Sequence, residues 1–405
     1  MPWAARMTLF FSLIAAPFYF YVGFRLTSAI SSISSIKKKK AKKFVFLFIT
    51  WFYLLPINYF LYDITGNMDN LFLYQSFPTW QDYVFLFPFW WSLVLVLEAV
   101  PFFIILDFSI LFRKIKRFLI FKNWTRWQAF IKIGLIIASG IYTGHRIYFD
   151  TTHIRKNIVQ IPVQNLPVEF KDLTLCFMGD LHIDRYFQGK RLNKLKNILQ
   201  STKSDLVFFS GDLITQGDEY ISAASELLKN PKAKIGSFAC MGDHDYWTAP
   251  EIISNKLSQN GWTFLENQHY VSNYKGKSIL VTGITHIYGL RMSEFELNKI
   301  LNDAPYGDLK ILIVHQPSEF IIKAAEKYGY HIILGGHTHG GQIVTHIFGF
   351  PIAAIQEETP FYSGLYTLNN LHIYITNGVG LELAPIRYHA PSEISHIILA
   401  SGNKD

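Results

Sequence analysis

Long apolar runs fill the first 150 residues of the chain, and short ones fill the remainder. Residues 7–30, 44–62, 83–112 and 127–149 each hold a stretch close to or above the ~20 apolar residues that a helix needs to cross a bilayer. The pattern predicts four transmembrane helices in a membrane domain of residues 1–150. Within the third run stand Glu98, Pro101 and Asp107; the fourth carries Lys132 and His145-Arg146 near its ends, where long side chains reach the interface. From residue 159 the texture changes. Short β-rich runs, "LTLCFMGDLH", "DLVFFSGDL", "SFACMGDHD", "KILIVHQP" and "HIILGGHTHGGQ", alternate with amphipathic helical stretches such as "LNKLKNILQ". Strands alternating with helices predict an α/β sheet over residues 159–405.

Charge sharpens this division. The chain has a net charge of +8, but residues 1–150 hold 16 Lys and Arg against 6 Asp and Glu, while the other 255 hold 22 against 24. The excess therefore belongs beside lipid headgroups, and nucleic acid is not an expected partner. "KKKKAKK" (37–43) lies between the first and second runs, and Arg113, Lys114, Lys116, Arg117, Lys122 and Arg126 lie between the third and fourth. The loop 63–82 has Asp63, Asp69 and Asp82 and no cation. Basic loops stay cytoplasmic, so four crossings predict a multi-pass protein of the inner or plasma membrane with an extracytoplasmic C-terminal domain. Trp51, Trp80, Trp90, Trp91, Trp124 and Trp127 fit an interfacial belt. Neither an ion pair nor an internal repeat is legible in the spans, which favours an anchor over a transporter. Cys176 and Cys240 sit in strand-like runs and read as core residues, with one bridge between them left open.

The chemistry lies at the ends of the strands. In open α/β sheets ligands bind beyond the carboxyl ends of strands, so residues far apart in sequence meet there. Asp180, His182, Asp212, Asp243, His244, His315, His337 and His339 all occupy such ends, nearly all beside glycine or a tight turn. A single aspartate there is usually a cap or a turn residue; the repetition of carboxylates and imidazoles is what capping does not explain. Mixed oxygen and nitrogen donors without cysteine suit Mn, Fe, Zn or Co. Asp180, His182, Asp212, Asp243, His315, His337 and His339 are too many for one tetrahedral ion and fit two divalent ions sharing a carboxylate, ~3.5–4 Å apart.

"GDLH", "GD", "GDHD", "VHQP" and "GHTHGGQ", in this order and spacing, resemble the calcineurin-like metallophosphoesterases, whose pattern is D-x-H, G-D, G-N-H-[DE], H and G-H-x-H. "IPVQNLPVEFKDLTL" before them, and "PFYSGLY", "YITNGVG" and "PIRYHAPSEI" after, resemble the membrane-anchored or exported subgroup with N-terminal transmembrane helices, so the likeness covers about 160–400. The resemblance implies transmembrane helices followed by a two-sheet αββα sandwich and a hydrolase of phosphoesters. It implies Asp180, His182 and His339 on one metal, His315, His337 and Asp243 on the other, and Asp212 between them. A metal-activated hydroxide would attack phosphorus, His244 would assist at the phosphate and leaving oxygen, and Asp245 would orient His244. One departure is Asp243, where the pattern has Asn: three carboxylates against two divalent ions leave +1 instead of +2, a weaker anion trap.

Three substrate classes follow from the resemblance: a phosphoester held at the membrane, lipid-linked or not; a nucleotide-lipid, as in the UDP-diacylglucosamine pyrophosphatases of lipid A synthesis; and a phosphoprotein, for which the near-neutral domain offers no docking charge. A reading of another class is a transporter or sensor carrying an inactive phosphoesterase domain.

Overall fold

The structure, a computed structural model, describes residues 2–67, 71, 75–115 and 124–402, without the side chains of 110–115. Asp69 and the basic residues Lys116, Arg117 and Lys122, on which part of the charge argument rests, lie outside the described residues. The chain forms two compact units, one of Met1–Phe149, Ile343–Ile352 and Leu383–His389, the other of Asp150–Gln342, Ala353–Glu382 and Ala390–Asp405.

Helices α1 (Trp3–Ile33), α2 (Lys38–Phe52), α3 (Leu54–Ile64), α4 (Phe87–Ile115) and α5 (Trp124–Thr152) account for all four apolar runs. Among the described residues, two stretches, Trp3–Ile33 and Asp82–Ser109, are long and apolar enough to cross a membrane; α2 and α3, bent by 52° at their junction, make a third if the pair counts as one span. This corrects the expectation of four. Over its 29 residues α5 is helical, but Arg126, Lys132, His145, Arg146 and Asp150 dilute its apolar character. The extracytoplasmic placement counted four crossings and loses its basis. A second correction concerns pairing. Asp107 accepts from the Tyr21 hydroxyl at 2.6 Å and meets Arg25 Nε at 2.6 Å and Lys132 Nζ at 2.5 Å. These residues come from three different helices, so no sequence spacing revealed them. Trp90 is buried among the helices and does not join a belt, whereas Trp80 and Trp127 are exposed.

The second unit holds β1 (Arg155–Gln164), β2 (Thr174–Met178), α6 (Lys190–Ser201), β3 (Ser204–Phe209), α7 (Ile221–Leu227), β4 (Ala233–Ala239), α8 (Asp243–Thr248), α9 (Pro250–Gln259) and β5 (Thr263–Phe264). Then come β6 (Gln268–Tyr274), β7 (Lys277–Ile284), α10 (Glu294–Asn302), β8 (Leu309–Val314), α11 (Glu319–Lys327) and β9 (Ile332–Gly335). After β10 (Thr345–Ile347) and β11 (Phe350–Ile352), a hairpin belonging to the first unit, follow β12 (Gly364–Leu368), β13 (Leu371–Ile375) and β14 (Glu393–Gly402).

Two six-stranded sheets result, ordered β1-β14-β2-β3-β4-β5 and β12-β13-β9-β8-β7-β6. Strands β2, β3 and β4 run parallel, as do β7, β8, β9 and β13. Their alternate residues face two ways. Leu175, Phe177, Leu206 and Phe208 pack between the sheets against Val281, Ile311, Ile313 and Leu334. The intervening Cys176, Met178, Val207 and Phe209 pack under α6, α7 and α9, while Leu280, Leu312 and Val314 pack under α10 and α11. Helices thus cover both outer faces, which is why these strands read as continuous apolar runs and the unit is an αββα sandwich. Cys176 and Cys240 are free and buried, and burial pushes both thiols up to about 12.

Candidate metal centre

The parallel strands of both sheets deliver their next residues to one rim of the sandwich. Asp180 and His182 follow β2, Asp212 follows β3, Asp243 and His244 begin α8 after β4, His315 follows β8, and His337 and His339 follow β9. Five of these residues turn the backbone left-handed: Asp180 (φ 48°), His182 (42°), Asp212 (57°), His337 (71°) and His339 (52°). Such conformations cost a non-glycine residue about 1–2 kcal/mol each, and they persist because backbone bonds fix them. Asp180 N–H donates to Gly211 O at 2.9 Å and Leu181 N–H to Asp212 O at 2.8 Å. Glycine is required where these turns touch. A Cβ on Gly242 would lie 2.2 Å from Asp212 N, and one on Gly336 would lie 2.5 Å from Asp180 Oδ2.

All seven expected ligands converge. Ligand atoms of Asp180, His182 and His339 lie within 4.8 Å of one another, as do those of Asp243, His315 and His337. Asp212 stands between the two groups, with Oδ2 3.3 Å from His182 Nε2 and 3.2 Å from His315 Nε2. His315 Nε2 is also 3.3 Å from Asp243 Oδ2, and His337 Nδ1 lies 3.0 Å from the same oxygen. Several of these contacts are close without being hydrogen bonds: Asp180 Oδ2, His182 Nδ1 and His315 Nε2 are buried and have no hydrogen-bond partner. Buried polar atoms are rarely left so. Three carboxylates and four imidazoles with orphaned atoms in one cluster fit two divalent ions bound through oxygen and nitrogen.

Hydrogen bonds outside the cluster aim these ligands. His315 Nδ1 donates to Ser210 O at 2.8 Å, leaving Nε2 to face Asp212. His337 N–H donates to Asp180 Oδ1 and His244 N–H to Asp212 Oδ1, both at 2.8 Å. Around Asp243 the chain supplies donors that sequence reasoning missed. Gln316 Nε2 donates to Oδ2 at 2.5 Å, and Tyr288 N–H donates to Oδ1 at 2.6 Å. The extra carboxylate relative to the Asn pattern is therefore saturated with donors. Burial would raise Asp243, but His315 and His337 outweigh it and hold it well below the carboxylate range; His315 and His244 do the same for Asp212.

His244 stands beside the cluster with its ring fixed by Nδ1 on Thr215 O, and Nε2 directed 3.4 Å from Glu382 Oε1. Burial lowers its pKa, but the charge of Asp212 and the bond to Glu382 hold it up at about 10. Asp245 does not orient this ring. Its two oxygens accept from the backbone N–H groups of Asp212, Leu213 and Gly242 at 2.8, 2.8 and 3.2 Å, so it braces two ligand loops. Burial and the charge of Asp212 push it up to about 6. Two further acids border the cluster: Glu358 lies 3.3 Å from His337 Nε2, and Glu382 lies 3.8 Å from His339 Nε2. Glu382 follows β13, so the strand-end rule, carried one strand further, points to it; Glu358 has no such signal. Beside His337 opens a cavity of about 830 Å³ lined by Tyr288, Arg291, Gln316, Lys323, Lys327 and Glu358 among others. Of the aromatics, Tyr288 lines this cavity, and the Trp247 ring stands 5.0 Å from His244.

The comparisons with known proteins agree with this geometry. A family model described as calcineurin-like phosphoesterase matches residues 173–341. The chain is 29% identical over 252 residues to a zebrafish transmembrane protein with metallophosphoesterase domain, covering 60% of this chain and 56% of that one. It is 29% identical over 277 residues to the YkuE metallophosphoesterase of Bacillus subtilis, covering 67% and 93%. A metallophosphoesterase of Helicobacter pylori is 27% identical over 279 residues, covering 68% and 72%. Residues 173–341 thus carry a calcineurin-like phosphoesterase domain, and the chain is similar to proteins named as metallophosphoesterases.

Proposed function

We propose that the protein is a membrane-anchored hydrolase of phosphoester or pyrophosphate bonds that works with two divalent ions, Mn, Fe, Zn or Co. The observation that carries this reading is a pair of three-residue ligand groups joined by Asp212. Asp180, His182 and His339 would hold one ion and Asp243, His315 and His337 the other. When bound, the ions supply positive charge for a phosphate and lower the pKa of water.

The chain's own residues do the rest. With Nδ1 committed to Thr215 O, His244 has Nε2 beside the cluster and 3.4 Å from Glu382 Oε1, a carboxylate that favours a proton on that nitrogen. It is placed to donate that proton to a leaving oxygen. The adjoining cavity is lined by Arg291, Lys323 and Lys327 against Glu294, Glu319 and Glu358, so its charges balance and it suits a substrate part with both donors and acceptors. The apolar helices favour a substrate that itself resides in the membrane, because anchoring restricts the protein to the surface where such a substrate is concentrated. A nucleotide-lipid such as UDP-diacylglucosamine is one member of that class.

The test is hydrolysis by the full chain in lipid nanodiscs with added manganese, over a monoester, a diester and a lipid-linked pyrophosphate. Turnover of at least one, falling on the order of 10³-fold in Asp212→Ala together with loss of bound metal, is the expected result. Absence of turnover across the panel by a metal-loaded chain would overturn the reading in favour of a sensor.

A further inference from the structure

The hairpin β10–β11, "THIFGFPI", begins three residues after Gln342 and closes on itself with the register Thr345↔Ile352, His346↔Pro351 and Ile347↔Phe350. It belongs to the same compact unit as α1–α5. Its contact is with α4, where His346 N–H donates to Glu98 Oε1 at 3.3 Å. That contact fixes its depth. Glu98 lies about 24 Å along the helix from Asp82 and about 16 Å from Ser109, the ends of the apolar span. Wherever a hydrocarbon layer of about 30 Å is laid on this span of about 40 Å, Glu98 falls at least about 6 Å inside it. A second connection repeats the arrangement: the Tyr142 hydroxyl of α5 meets His389 Nε2, in the other segment of this unit, at 3.1 Å.

The hairpin is built for such a place. Phe348 is 67% exposed, Phe350 73% and Ile352 46%. The two turn residues, Phe348 and Gly349, have φ of 53° and 87°, a two-residue turn whose first position normally takes Asn, Asp or Gly. A phenylalanine there is conformationally costly and two-thirds exposed, so burial in the fold does not account for it. Two outward backbone positions of the hairpin need no water as an acceptor. At the central pair, the N–H of His346 is taken by Glu98, and Pro351 has none to offer.

We infer that this hairpin is inserted into the bilayer, with Phe348, Phe350 and Ile352 against lipid acyl chains. The inference rests on the reading of α4 as a membrane span, and the experiment separates the two. The full chain is reconstituted in vesicles of phosphatidylethanolamine and phosphatidylglycerol. A bimane label is attached at Phe348→Cys, at Phe102→Cys on the exposed side of α4, or at Phe295→Cys on the second unit. The native Cys176 and Cys240 are 2% and 0% exposed and stay unlabelled.

Nitroxide on the lipid chains is expected to quench positions 348 and 102 at least about threefold more than 295, with aqueous iodide giving the reverse order. A label at 102 that ignores the lipid nitroxide removes the span. A quenched 102 beside a 348 that responds to iodide as 295 does overturns the hairpin inference, and a 348 shielded from both quenchers replaces lipid with a protein contact. The unmutated chain gives an independent check. Vesicles containing a phospholipid with a diazirine in its acyl chain are expected to leave adducts within residues 345–352, and adducts confined to the helices would overturn the inference.

Discussion

Two groups of charged side chains, one in each unit, look alike in composition and differ in what they leave undone. Among the helices, Asp107 has both oxygens matched: Oδ2 to Tyr21 and Arg25, Oδ1 to Lys132. One anion meets two cations and a hydroxyl, and the group is closed. At the rim of the sandwich, Asp180, Asp212 and Asp243 gather with four imidazoles, which as metal ligands are neutral. Several buried atoms there remain without a hydrogen-bond partner. A buried polar cluster that satisfies itself is architecture, and one that does not is a binding site. The lesson is that burial and charge alone do not separate the two; the unmatched atoms do.

The largest effect expected from breaking this contrast is on the closed group. Asp107→Leu leaves Lys132, only 8% exposed at its side chain, without its anion and should cost about 3–5 kcal/mol, read as a lower unfolding midpoint of the protein in detergent. Hydrolysis per folded molecule should be unchanged. A variant that unfolds normally and loses turnover would mean that the helices take part in the activity.

His244→Ala should lower kcat by about 10²-fold while leaving both ions bound, measured by metal analysis alongside turnover. If metal is lost with activity, His244 is a ligand, as its nearness to His182 and Asp212 would then explain. Gln316→Leu removes the donor on Asp243 and should weaken metal binding by about 10-fold, seen by calorimetry without any substrate. An unchanged affinity would show that Tyr288 N–H alone supports Asp243.

The smallest effect is a slope in pH. In the metal-free protein, burial lowers His337, but its bonds to Asp243 and Glu358 hold it up at about 9. Below that value it carries a proton that a metal must displace, and His315, despite burial held well above its ordinary value by Asp212 and Asp243, carries another, so affinity at that site should rise with pH. Proton release measured on adding manganese in two buffers checks the sign. A release that grows with pH would contradict the assignment.

Much of the second unit was legible because strand-end loops carry their candidate chemistry in short motifs. Asp180, Asp212 and His315 each follow an apolar strand directly, so a linear reading locates them and the sheet rule gathers them. Asp245 was misread for the opposite reason. Adjacent to His244 in sequence, it turns into the backbone of the Asp212 loop, and only the packing of two loops shows this. Gln316 sat within a recognised motif, yet its partner Asp243 lies 73 residues away. In the membrane half, composition located the helices, but the count of spans failed at α5, where helix and apolar span part company.

The α/β alternation, the apolar helices and the seven candidate ligands were legible in the linear chain, because periodicity and short motifs are local properties. Tertiary structure alone decided which carboxylate stands between the two groups, which acids border them, how Asp107 is neutralised, and where a hairpin with an exposed phenylalanine turn lies along α4. Those depend on distances between residues that the chain separates by tens to hundreds of positions, and only folding sets such distances.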